Sequence, residues 1–182
     1  MTADLLPPAV VPVALDEVKT FLRLDDASED ALLAGFIRAA TALAEAFTGQ
    51  RLIVRDVVGG IGPCRTWQRL AAAPVVAIIG VTAGGAPLAG TAFETDIDLA
   101  GNGWVRLIAP DPTLKVVVAY AAGVAADWNG VPEPLRLGIV RLVSHLYAHR
   151  DAPDAGGIPA AVAALWRPWR RMRLGSEPCH GR

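Results

Sequence analysis

The feature that most constrains this chain is the stretch over residues 120–151, YAAGVAADWNGVPEPLRLGIVRLVSHLYAHRD, which predicts one long amphipathic helix. Pro132 and Pro134 suit a first helical turn, where backbone N–H groups have no intrahelical partner. Asp151 and Pro153 mark its end. Apolar side chains between them recur at helical spacing and predict one face turned toward a core: Leu135, Ile139, Leu142, Val143, Leu146 and Tyr147.

A second row of side chains follows another side of the same helix. Arg141, His145 and His149 are each four residues apart, so we expect a basic, polar side that contacts DNA in a channel or a neighbouring subunit. His145 and His149 also have the spacing of a metal-binding pair, but no third ligand and no H-E-x-x-H motif accompany them. We therefore expect no metal, no cofactor and no catalysis. A small metal-dependent hydrolase built on this pair is the alternative.

The rest of the chain divides into helical and strand-rich parts. Apolar periodicity predicts helices at about 15–24, 28–48, 132–150 and 159–166, and Val- and Ile-rich segments between about 52 and 120 predict strands. Gly101-Asn102-Gly103 predicts a hairpin turn. The expected fold is α+β, mainly α: a helical bundle core with a small inserted β unit, one domain over 1–165, and an extended C-terminal tail over 166–182.

The C-terminal tail interleaves tryptophan and arginine. Both residue types are enriched at the energetically important centres of interfaces, and arginine also pairs with phosphate. We therefore predict a segment that docks into a partner protein. A stand-alone DNA-binding module that uses the same basic residues is a further alternative. The residues predicted to bind are Trp166, Arg167, Trp169, Arg170, Arg171 and Arg173.

Composition and the distribution of charge add four observations. The net charge of −1 argues against nucleic-acid binding by the chain as a whole. The mean hydropathy of +0.38 is high, which indicates either apolar surface covered by neighbouring subunits or simply a high alanine content. The first 48 residues are acidic and the last 18 are basic, so copies could dock head to tail, or the two charged ends could be unrelated solvated surfaces. The two cysteines, Cys64 and Cys179, lie far apart, and no disulfide is expected.

Three blocks of the sequence together resemble the head–tail connector proteins of tailed phages and of phage-derived gene transfer agents, also called adaptor or head-completion proteins. They are VALDEVKTFLRLDDASEDALLAGFIRAATALAEAFTGQRL at 13–52, LAAAPVVAIIGV at 70–81, and the YAAG…VPEPLRLGIVRLVSHLYAHRD stretch at 120–151. The order and spacing of the blocks carry the resemblance, which covers most of residues 13–151. His149 and the long Arg/Trp tail depart from the family pattern.

The resemblance implies a structural protein and no reaction. It implies a homo-oligomeric, dodecameric ring beneath the portal of a DNA-filled capsid. The other side of the ring would receive a stopper or tail-side connector protein, and DNA would pass through the lumen during DNA packaging and delivery. It places the protein in the neck of a bacteriophage virion or virus-like particle assembled in the bacterial cytoplasm, with no membrane partner. The tail or the row containing Arg141 would then meet the portal or DNA.

Overall fold

The computed structural model describes residues 3–5, 15–150 and 157–171. The chain divides into two compact units. One is built on Pro8–Ile53 and Ala125–Met172 and contains the helices, and the other is built on Val54–Val124 and contains the strands. Each unit has a hydrophobic core of its own.

The helical unit contains α1 (Leu15–Leu22), α2 (Asp30–Thr48), α3 (Glu133–Ala148) and α4 (Ala160–Trp166), and a 3₁₀ turn (Arg167–Trp169) follows α4 directly. Gly49 ends α2 because it adopts a left-handed conformation at φ 70°, and its N–H donates to the carbonyl of Glu45. Pro132 lies at the start of α3, where its missing N–H breaks no hydrogen bond.

The core of the helical unit forms from the apolar sides of α2, α3 and α4. The expected apolar side of α3 is observed: Leu135, Ile139, Leu142 and Val143 are buried, and Leu146 and Tyr147 pack against them in part. Leu33, Ile37, Ala40 and Ala44 of α2 lie in the same cluster. Because these positions recur every three or four residues, each helix places one continuous side in the core.

The strand unit contains two antiparallel sheets. The larger has the order β1-β2-β8-β4-β5 and consists of β1 (Ala3–Leu5), β2 (Arg55–Ile61), β8 (Val116–Ala122), β4 (Val75–Ala83) and β5 (Ala86–Pro87). The smaller has the order β3-β7-β6 and consists of β3 (Gln68–Arg69), β7 (Gly103–Leu107) and β6 (Phe93–Ile97). Alternate residues of β7 and β8 are buried, as expected of strands with one side on a core.

The α+β class expected from the sequence is confirmed, but the expectation of a mainly α fold is not. The strands do not form a minor insertion, because their alternating side chains build a separate buried cluster around Val57, Val118 and Tyr120. Tyr120 is fully buried, and its hydroxyl accepts a hydrogen bond from the N–H of Ala72 at 3.0 Å. A buried polar group that is satisfied in this way is typical of a core, not of a surface hairpin.

By length and composition alone, helix α2 is apolar enough to cross a membrane. Helices buried in the core of a folded unit pass the same test, and the inner side of α2 is packed in such a core.

The expectation of no disulfide is wrong, because Cys64 is disulfide-bonded. The other cysteine of the chain, Cys179, lies outside the described residues.

Candidate docking site

Trp166, the first residue of the predicted docking tail, is a core residue. It is the last residue of α4, its side chain has no exposed surface, and its ring lies 5.9 Å from that of Phe47. The indole N–H donates to the carbonyl of Leu135 at 3.3 Å. The indole lies so close to Gly138 of α3 that a Cβ there would be 2.1 Å from Nε1. The prediction of Trp166 as an exposed docking residue is therefore corrected: burial of its large apolar surface holds α4 on α3.

The chain beyond Trp166 is also attached to the helical unit. Trp169 is half-buried against the core, and its carbonyl accepts a hydrogen bond from the side chain of Gln50. The guanidinium of Arg170 lies 5.9 Å from the centroid of the Phe47 ring. The N–H of Arg171 donates to the carbonyl of Thr48 at 2.8 Å. Residues 166–171 are thus an ordered turn beside the end of α2, and Arg173 lies outside the described residues.

Two arginines of this turn are exposed, whereas the two tryptophans pack into the core and Arg171 is half-buried. Arg167 and Arg170 are exposed. Trp166 and Trp169 continue the buried position Val162 at spacings of four and three residues, which is helical spacing. Extending the predicted helix past Arg167 at this spacing would have predicted buried tryptophans and exposed arginines. The exposed surface of this segment is therefore cationic rather than aromatic.

The second predicted set, Arg141, His145 and His149, lies along the C-terminal half of α3. Arg141 and His149 are exposed, and His145 is half-buried. The two imidazole rings are 4.3 Å apart, and Nδ1 of His149 lies 2.9 Å from the carbonyl oxygen of His145. Among the described residues, no group of three or more histidine, cysteine, aspartate or glutamate side chains is placed to hold a metal ion.

Some of the acidic residues near the N-terminus are already neutralised within the helical unit. Glu29 contacts Tyr147 and Arg150 at the end of α3. Glu17 accepts from the indole N–H of Trp128 at 2.8 Å and lies 3.4 Å from the guanidinium of Arg136. Docking of one acidic end onto another copy's basic end is therefore restricted to side chains outside these contacts. Sequence reasoning did not find these pairs, because their partners lie more than a hundred residues apart.

The tip of the β6–β7 hairpin lies where the sequence predicts a turn, at Gly101-Asn102-Gly103, but sequence reasoning did not identify the residue that fixes it. Asp98 holds the turn together: its carboxylate accepts hydrogen bonds from the N–H and the side-chain amide of Asn102, and from the indole N–H of Trp104. The bonds from Asn102, with those from Trp104 and Ala100, lower the pKa of Asp98 to about 2. Gly101 takes the left-handed conformation, φ 73°, that closes the turn. The side chain of Leu99 projects from this rigid turn and is fully exposed.

Comparisons with a protein family and with solved structures both point to proteins of the phage or particle neck. The family model for "Phage gp6-like head-tail connector protein" matches residues 12–78. Among curated proteins, none matches the chain significantly. Among solved structures, the chain is similar to a protein in the "Neck of empty GTA particle computed with C6 symmetry", at 27% identity and a TM-score of 0.79, and the match covers 98% of this chain and 100% of that one.

Two further structures match over the same extent. The "Virion of native gene transfer agent (GTA) particle" contains a chain that is 26% identical with a TM-score of 0.79, and the "Neck of native GTA particle computed with C12 symmetry" contains one that is 25% identical with a TM-score of 0.77. Each match covers 98% of this chain and 100% of the other. The resemblance found in the sequence is therefore confirmed: this chain is similar to the phage head–tail connector family and, over nearly its whole length, to a neck protein of gene transfer agent particles.

Proposed function

We propose that this protein is a structural subunit of the neck of a phage or gene transfer agent particle, where it connects the head to the tail. The observation that carries the proposal is the match to a neck protein over 98% of this chain and all of the other. A match of that extent includes both units of the chain, so the strand unit belongs to the shared architecture. The role is mechanical, and the protein turns over no substrate.

In this proposal the subunit forms a ring, dodecameric in the complete neck. The C12 symmetry with which one of the matching necks was computed supports that number. A closed ring requires each copy to use two different surfaces, one for each neighbour. One opening of the ring meets the portal and the other receives the stopper or the next tail-side protein, with DNA in the lumen. We place the protein at the particle neck after assembly in the bacterial cytoplasm.

The exposed cations of the helical unit are the proposed contacts to these partners. Arg167 and Arg170 form the portal-docking surface, while Trp166 and Trp169 fix it to the core. Arg173, which the sequence also predicts to bind, lies outside the described residues. On α3, the row of Arg141, His145 and His149 faces DNA or a neighbouring subunit. Arginines held on an ordered turn lose less conformational entropy on docking than those of a mobile tail.

The deciding experiment removes the gene from a strain that produces particles. We expect DNA-filled heads that lack tails in negative-stain micrographs, and tailed particles again after complementation with the full chain. Tailed, infectious or transfer-competent particles in the deletion strain would overturn the proposal. An antibody label at the neck of complemented particles provides the independent readout of location.

The docking surface has its own test. The double variant Arg167→Glu/Arg170→Glu reverses two exposed charges without removing a core side chain, whereas deletion of residues 166–182 would also remove the buried Trp166. We expect the variant to fold but not to join portal-bearing capsids. Arg65→Glu, an exposed change in the strand unit, is the matched control and should join normally. Normal incorporation of the double variant would move the portal contact to another surface.

A further inference from the structure

The outward side of α2 is apolar although no described residue of the helical unit covers it. It consists of exposed residues opposite the buried ones: Leu32, Arg38, Ala39, Ala42, Leu43 and Ala46. Leu32 and Leu43 are 41% and 40% exposed. Arg38 is the single charged residue between Asp30 and Glu45. A helix that is apolar on both sides is normally covered on both sides, which indicates that another molecule packs here.

A membrane is a poor occupant for this surface. The inner side of α2 is packed against α3 and α4 in the core, so the helix cannot leave the unit to cross a bilayer without destroying that core. Arg38, near the middle of the helix, would also lie in the most apolar layer, where a charged side chain is costly. A protein surface that presents a projecting side chain of leucine size and a carboxylate would cover the outward side of α2 better than a membrane.

The tip of the β6–β7 hairpin has these properties. Leu99 is fully exposed and Ile97 is 40% exposed. Asp96, on the adjacent strand, is an exposed carboxylate. The hydrogen bonds of Asp98 fix the turn before any partner arrives, so little conformational entropy remains to be lost on docking. The tip is thus a preformed projection that is apolar at its end and acidic at its side.

We propose that the hairpin tip of one copy docks on the outward side of α2 of a second copy in the ring. Leu99 lies between Leu32 and Leu43, and Asp96 pairs with Arg38. The contact joins two different surfaces of the chain, so in a closed ring every copy uses both surfaces and none is left uncovered. This inference rests on the proposed neck function, and it adds the surfaces by which neighbouring copies meet.

Site-specific photocrosslinking in assembled particles tests the contact directly. A benzoylphenylalanine replaces Leu99 in one strain and the exposed Ala39 in another, and particles are irradiated and digested. We expect dimers of this chain in which position 99 is joined to the peptide carrying residues 31–46, and position 39 to the peptide carrying residues 93–102. Crosslinks to the portal or another protein, crosslinks within a single copy, or no crosslinked product would each overturn the proposal.

Charge reversal provides a test that does not depend on a probe. Arg38→Glu and Asp96→Arg should each lower the number of copies per particle by about tenfold, and the double variant should restore it to within about twofold. Arg65→Glu is the control and should leave incorporation unchanged. Circular dichroism spectra like those of the parent chain show that each variant folds. Loss in both singles without rescue in the double would contradict the pairing.

The outcomes separate this inference from the function on which it rests. If the parent chain is absent from purified particles, the neck function itself fails. If the parent chain is present but positions 39 and 99 crosslink elsewhere, the function stands and only the pairing of these two surfaces is wrong.

Discussion

The close contact between Trp166 and Gly138 predicts how a substitution of Gly138 changes the stability of the helical core. A methyl group on Gly138 would place Cβ 2.1 Å from Nε1 and 2.7 Å from Cε2 of Trp166, well inside van der Waals contact. Trp166 is fully buried, so its ring cannot move outward without opening the core. We predict that Gly138→Ala destabilises the protein, although alanine is normally the better helix former.

The magnitude follows from three contributions. Replacing a helical glycine with alanine gains about 1 kcal/mol of helix propensity. Overpacking of a close-packed core costs about 1–3 kcal/mol. Displacement of the indole also breaks its hydrogen bond to the Leu135 carbonyl, and a buried group left without a partner costs about 1–3 kcal/mol. The net loss is about 1–5 kcal/mol.

Gly35→Ala is the matched control, since it makes the same chemical change in α2. A Cβ on Gly35 would meet only the end of the Arg38 side chain, at 4.0 Å. Its replacement should therefore stabilise the isolated chain by about 0.5–1 kcal/mol. Opposite signs for one substitution at two helical glycines would show that Trp166, rather than helix propensity, decides the outcome.

Guanidinium unfolding followed by ellipticity at 222 nm is the appropriate measurement, because the helices lie in one unit. Trp166→Phe removes the indole nitrogen, so Gly138→Ala should cost about 1–2 kcal/mol less in that background than in the parent chain. If Gly138→Ala is as stable as the parent chain or more stable, Trp166 does not pack on α3 as described. The residue would then be free to act as the exposed docking side chain that the sequence predicted.

Three further predictions concern single hydrogen-bonded groups. Glu45→Ala removes a buried carboxylate that accepts from a backbone N–H in the next loop, and should cost about 2–4 kcal/mol in unfolding free energy, whereas the exposed Glu94→Ala should change it by less than about 1 kcal/mol. Tyr120→Phe leaves the N–H of Ala72 without its acceptor and should lower the unfolding free energy by about 1–3 kcal/mol. Asp98 has a folded pKa of about 2, below its ordinary value of 3.8, so its stabilisation of the hairpin tip is complete above pH 3.8 and is lost as pH falls through about 2. Amide exchange in the turn should accelerate over that interval in the parent chain but not in Asp98→Ala, whose turn is loose at every pH.

The long helices were predictable because their signal is local and repeated. Leu135, Ile139 and Leu142 follow a period near 3.6, and each of these positions is in fact buried. The prediction that Trp166 is an exposed docking residue was wrong because the local signals around it conflict. Pro168 and the surrounding arginines indicate an irregular tail when they are read alone, but Trp166 and Trp169 continue the spacing from Val162.

Less of the candidate docking site could be predicted, because its structure depends on contacts between residues that are distant in sequence. The hairpin was predicted around Gly101-Asn102-Gly103, but its rigidity comes from Asp98, which precedes those residues and bonds to Asn102 and Trp104. On β4, register shifts at Val76 and Ile79 leave these apolar side chains 55% and 61% exposed. Bulges of this kind depend on the partner strand and therefore have no signature within the strand itself.

The junction at which the strand unit leaves and rejoins the helical unit has a practical consequence. Ile53 and Ala125 form an isolated bridge, and the N–H of Ala125 donates to the carbonyl of Leu52 at 3.1 Å. Residues 54–124 therefore begin and end next to each other at this bridge, whereas β1, the other described strand of this unit, precedes the helices. A short turn that replaces residues 54–124, combined with removal of β1, should leave a helical protein that folds by itself, because the helical unit has its own core.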